Sequence, residues 1–190
     1  MNLYSLALFA HVCGVIGIFA GMGVWAFGVG ALRHTQRVEQ VRLLAKLITA
    51  SSNLVVGSML LLGVAGFYMA ITVWGIQATW IIVATISFLL LAPIGLLVIE
   101  PRVRTIAREA RDVPDGPLPQ TLAVRTRDSL LGAGLSVYIA VLLGIVFLMI
   151  YKPPTDIALL TVAVAIALGA LASIPLWRAP RSVRAARQPG

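Results

Sequence analysis

The chain is 190 residues long, 59% hydrophobic and only 12% charged, with fifteen Lys and Arg against seven Asp and Glu for a formal net charge of +8. A soluble domain is about 45–50% apolar, and one of this size could not hide so much apolar surface, so a water-soluble globular fold is excluded. Charge-free stretches of about 20 residues or more, at about 1.5 Å rise each, instead predict an all-α, polytopic membrane helical bundle.

Five such stretches follow in chain order. Residues 3–32 form the first, closed by Arg33; at about 45 Å it overshoots a hydrocarbon core of about 30 Å and must tilt, bend or project into the interface. It has no basic residue ahead of its apolar run and far exceeds the apolar core of a signal peptide, about 7–15 residues, so it is expected to stay as a helix. Residues 47–74 form the second stretch and 79–99 the third, ended by Glu100 and Pro101. Residues 130–151 and 157–177 are the fourth and fifth, separated by Lys152, Pro153 and Pro154. Residues 1–177 are thus one five-helix domain, followed by a basic tail over 178–190.

The basic residues set the topology. Arg33, Arg37, Arg42 and Lys46 follow the first stretch, and Arg102, Arg104, Arg108, Arg111, Arg125 and Arg127 follow the third. Arg178, Arg181, Arg184 and Arg187 fill the tail. Only Lys152 lies on the other side, which by the positive-inside rule puts the N-terminus outside and the C-terminus in the cytoplasm. Trp74, Trp80 and Tyr151 mark the outer interface and Trp177 the inner one. Attraction of this face to anionic lipid, at about 1 kcal/mol per Lys or Arg, accounts for the net charge without a nucleic-acid partner.

The cytoplasmic loop over 100–128 is expected to carry a short amphipathic helix in "PRVRTIAREARDV". There Val103, Ile106, Ala107, Ala110 and Val113 recur at helical spacing and would rest on the inner leaflet. "PDGPLP" makes residues 114–120 an irregular linker. Every acidic residue falls in a loop or at a helix end, so no buried carboxylate is expected for a proton relay or ion coupling. The polar cluster Thr49 to Asn53 reads as interhelical hydrogen bonding.

Within the first helix, Ala7, Ala10, Gly14, Gly17, Gly21 and Gly28 fall near one face, with Gly17 and Gly21 in GxxxG spacing. Such stripes let backbones approach closely in lipid, and this one could seat a second copy or a larger membrane complex. Pro93 should bend the third helix, because it removes a backbone donor and clashes with the preceding turn.

His11 borders the glycine stripe, three residues before Gly14 and about 60° around the helix, and so points toward the bundle or a second protomer. An ionisable group at membrane depth marks a functional site by default, yet a neutral histidine bonded to a neighbouring helix is the cheaper explanation. Matched depths place Met69 level with His11, so a His11–Met69 ligand pair is one arrangement and two copies of His11 in a dimer another. As a copper ligand His11 would need help. Cys13 lies about 200° around the helix and Met22 about 16 Å along it, so soft ligands such as Met69 and Met149 would have to complete the site. The lone thiol excludes an intramolecular disulfide and reads as a packing residue.

"HVCGVIGIFAGM" resembles the first helix of a broad group of bacterial integral membrane proteins that includes copper-resistance D-like proteins and HemJ-like protoporphyrinogen oxidases. There a histidine is followed eight residues later by an aromatic-Ala-Gly or aromatic-Gly-Gly turn, here His11, Phe19, Ala20 and Gly21. With "VAGFYMAITVWGIQATWIIVATISFLLLAPIGLLVIEPRVR", residues 3–150 look most like the predicted integral membrane family called domain of unknown function 2269. The resemblance implies a bacterial cytoplasmic membrane and haem b, with His11 as axial ligand. No other histidine lies at membrane depth and no Lys or Arg lies inside the later helices, which departs from the oxidases and points away from an enzyme. The expectation is a non-catalytic binding or accessory protein; a membrane redox enzyme or haem carrier, and a copper-handling protein, are the alternatives.

Overall fold

The computed structural model describes residues 2–177, nearly all of them helical. In order these are α1 (Leu3–Leu32), α2 (Val38–Met69), α3 (Thr79–Pro93), α4 (Glu100–Arg111), α5 (Gln120–Thr126), α6 (Ser129–Tyr151) and α7 (Thr155–Trp177). A π-helical turn, Ala70–Trp74, extends α2, and a second, Ile94–Ile99, joins α3 to α4 without a break. The five helices long and apolar enough to cross a membrane are Leu3–Leu32, Val38–Trp74, Thr79–Arg111, Gln120–Tyr151 and Thr155–Leu176. The five-span, all-α bundle is therefore borne out. The basic tail expected over 178–190 lies outside the described residues.

Two antiparallel hairpins, α1 with α2 and α6 with α7, form the frame, and α3 leans on α6. Their outward faces carry large apolar side chains such as Leu60, Val64, Leu97 and Leu168, all exposed, as helices bathed in lipid require. The inward stripe of α1, Ile18, Met22, Trp25, Val29 and Leu32, is at most 4% exposed.

Glycines set the closeness of both hairpins. A Cβ at Gly14 would stand 2.8 Å from Leu62 Cβ, one at Gly21 2.5 Å from Val55 Cγ2, and one at Gly17 would collide with the Ser58 hydroxyl. Gly169 plays the same part in the second hairpin, where a Cβ would stand 2.6 Å from Val137 Cα. The glycine face of α1 is consequently filled by α2 of the same chain. This corrects the expectation that it seats a second copy or a partner complex: within one chain the neighbouring helix is already tethered by a short loop and takes the face first.

Two boundaries also differ from expectation. α2 begins at Val38 and not at 47, because Val38, Val41, Ala45 and Ile48 continue its apolar stripe past Arg42 and Lys46 and are all fully buried. The amphipathic segment is a helix, but it does not rest on lipid. Val103, Ile106 and Ala110 are at most 1% exposed, and α4 packs against the first turns of α2 as a continuation of α3. Burial against a neighbouring helix satisfies the same stripe that a leaflet surface would. The linker over 114–120 is irregular through Pro119, while α5 was not expected.

Where a bend was expected at Pro93, the structure shows a π turn directly after it. Lacking an N–H, the proline leaves the i to i+4 ladder incomplete, and the helix answers by winding into the π turn that follows, where Glu100 N–H bonds Gly95 O.

Each end of the bundle is locked differently. At the basic end Arg33 donates to Arg127 O at 3.2 Å, Asp128 O at 3.4 Å and Leu176 O at 3.3 Å, gathering the ends of α1, α6 and α7. Arg102 pairs with Asp128 at 3.0 Å. At the other end Lys152 holds a left-handed backbone (φ 51°) and sets its ammonium 3.7 Å from the centre of the Trp74 ring and 5.8 Å from that of Trp80. Substitution Lys152→Ala is expected to cost about 1 kcal/mol in thermal unfolding, from the lost cation–π contact. Lys152→Gly should cost less, since glycine adopts the left-handed backbone without penalty.

Candidate functional site

His11 sits at the far end of the inward stripe of α1. Ile18, Met22, Trp25 and Val29 follow it at 7, 11, 14 and 18 residues, spacings that keep all five within about 40° of one face. It is half-buried. Its imidazole lies over Gly66 of α2, where a Cβ would stand 3.1 Å from both Cε1 and Nδ1. The glycine there is what lets the ring lie between the two helices.

The histidine has one hydrogen bond, from Nδ1 to Leu62 O at 3.2 Å. A carbonyl oxygen only accepts, so Nδ1 carries the proton, and in the neutral ring Nε2 is left with its lone pair. Ligating histidines take this form, with one nitrogen fixed by a backbone carbonyl and the other offered to a metal. The same bond also serves a purely structural histidine.

Met69 does not complete a pair. Gly14 opposite Leu62, Gly21 opposite Val55 and Gly28 opposite Ile48 fix the antiparallel register, which places Met69 opposite Ala7 and about 6 Å along the axis from His11. Met69 is buried, 8% exposed. With the backbones of α1 and α2 this close, a porphyrin cannot lie between His11 and Met69, and the two do not form a ligand pair. Among the described residues no three His, Cys, Asp or Glu side chains gather into a metal-holding group. Cys13 is half-buried.

One polar feature departs from expectation. Glu100 is not at a helix end: it lies inside the continuous helix Thr79–Arg111, its side chain only 15% exposed. It accepts from Ser52 Oγ at 2.9 Å and from Arg104 Nε at 2.7 Å. Ser52 thereby supplies the interhelical hydrogen bond expected of the polar cluster, while Thr49 and Ser51 bond back to carbonyls of their own helix. The helix runs on through Pro101, which therefore does not mark the stop it suggests. The carboxylate is half-buried and paired with Arg104.

No curated protein and no solved structure matches the chain. A family model described as a predicted integral membrane protein, DUF2269, matches residues 5–153, and the chain belongs to that family.

Proposed function

We propose that the protein is a non-catalytic binding protein of the bacterial cytoplasmic membrane, N-terminus outside, in which Nε2 of His11 would hold haem b. The observation that carries this reading is the Nδ1 bond to Leu62 O, which fixes the tautomer and frees the other nitrogen. The place of His11 as an ionisable side chain at membrane depth supports it, and the distribution of basic residues supports the orientation. Bound iron would supply reversible one-electron or small-ligand chemistry. The chain's own part is to hold the imidazole still, by Leu62 O on one side and the bare backbone of Gly66 beneath, and to keep water from it with apolar helices. The paired state of Glu100 favours binding over proton-coupled catalysis.

The test is an absorption spectrum of detergent-purified protein, oxidised and dithionite-reduced, beside His11→Ala made identically. A Soret band lost in the variant, with an unchanged gel-filtration profile, is expected. Protein made under ample haem supply that shows no such band would leave His11 as a helix-packing donor and sink the reading.

A further inference from the structure

Far from His11, α4 closes the continuous helix Thr79–Arg111 and stands beyond the bundle at its basic end. About 20 residues from Thr79 fill a hydrocarbon core of about 30 Å, so Glu100 lies near its edge and Arg104, Arg108 and Arg111 stand about 6, 12 and 17 Å past Glu100. The apolar stripe of α4, Val103, Ile106 and Ala110, is buried against α2. The opposite face carries Arg104, Arg108 and Arg111, all exposed, at spacings of four and three residues that hold them within about 60° of one another. The helix is thus held upright by one face and presents an arginine ridge on the other. Neighbouring carboxylates do not neutralise this ridge. Glu39 pairs with Arg37, Asp115 with Arg42, Asp128 with Arg102, Glu100 with Arg104 and Glu109 with Arg125 of α5. Among the described residues Arg108 and Arg111 are in no ion pair. Nor are they needed as caps, because Arg42 already serves Ala110 O and Val113 O at the end of α4.

We propose that the ridge docks an acidic segment of a partner protein, with Arg108 and Arg111 each taking a carboxylate. A planar guanidinium offers paired N–H donors that match the two oxygens of a carboxylate. Other anions fit less well. Residues 100–128 contain no Phe, Tyr or Trp on which a nucleobase could stack, and Glu109 and Asp112 beside the ridge repel a run of phosphates. A headgroup layer about 5–8 Å deep reaches Arg104 but falls short of Arg111. The chain's own tail over 178–190 has four Arg and no Asp or Glu, so like charge keeps it away. A helix carrying Glu or Asp at intervals of three and four residues would meet the ridge side chain for side chain.

The experiment uses the full chain in phosphatidylcholine nanodiscs, with a fluorescein-labelled hexaglutamate peptide as probe and fluorescence polarisation as readout. Binding that weakens about fivefold in Arg108→Ala/Arg111→Ala is expected, the sum of two exposed ion pairs. Both arginines are exposed and unpaired, so this variant keeps its fold. Arg37→Ala/Lys46→Ala removes as much charge from the same end and should leave binding within a factor of about two of the parent. Arg108→Lys/Arg111→Lys, which keeps the charge without the fork, should fall between. No binding by the parent would overturn the proposal, and so would equal weakening in the two alanine pairs, which would make net charge alone responsible. An oligonucleotide of equal charge that binds as well and loses as much would assign the ridge to nucleic acid. Phosphatidylglycerol retained by the detergent-purified parent in native mass spectrometry, and lost in Arg108→Ala/Arg111→Ala, would assign it to lipid, and either result would overturn the protein partner.

Discussion

Gly14→Ala and Gly169→Ala are each expected to destabilise the bundle by about 3 kcal/mol, the upper end of what overpacking costs, and to remove most of the monodisperse protein after mild heating. The added methyl meets backbone in both cases. At Gly14 it would lie 2.9 Å from Leu62 N and at Gly169 2.6 Å from Val137 Cα, and no rotamer change moves those atoms aside. Gly28→Ala meets only the side chain of Ile48 and should cost less. Gly23→Ala and Gly57→Ala meet nothing within 4 Å and should be neutral or slightly stabilising, since alanine favours helix over glycine by about 1 kcal/mol. Heating in detergent followed by size-exclusion chromatography ranks the series. A flat series, with Gly14→Ala as stable as Gly23→Ala, would mean that the two helices are not in backbone contact.

Arg42→Ala is the second large effect, at about 2–3 kcal/mol and localised. The last carbonyls of a helix have no donor of their own, and here Arg42 supplies one from α2: Nε bonds Ala110 O at 2.7 Å, and the other nitrogens reach Val113 O and Asp115. The guanidinium is two-thirds buried, so these bonds are only partly screened. Losing them should free the segment from Arg111 to Pro119, which limited proteolysis would cut in the variant and spare in the parent. Arg42→Lys restores the charge but not the fork and should stay sensitive. Equal resistance of parent and both variants would refute the clamp.

How much of this was legible in the sequence depends on what each residue announces. The spans were readable because lipid leaves only apolar helices as a solution, and the start of α6 and the end of α1 differ by a residue or none from what charge alone marks. Charge misled at α2, where Arg42 and Lys46 looked like loop although Val38, Val41 and Ala45 kept the helical stripe. It misled again at Glu100, whose partner Ser52 is 48 positions away. A glycine stripe shows that something packs closely but not what, so the choice between α2 and a second chain had to await the register. The arrangement of His11, with Nδ1 bonded and Gly66 beneath it, depends on that same register. The lone imidazole in an apolar run was visible; its tautomer was not.

The helix that begins at Thr79 and ends at Arg111 is 33 residues long and winds into a π turn where Gly95 faces Tyr138. Were the turn to flex, the segment beyond it would be a lever pivoted in the core. From the turn to Arg111 is about 25 Å, so a change of about 10° at the pivot carries the tip about 4 Å. Arg42 clips that tip to the base of α2, and α2 carries both Leu62 and Gly66. The tip of α4 and the ring of His11 are thus both attached to the one helix α2.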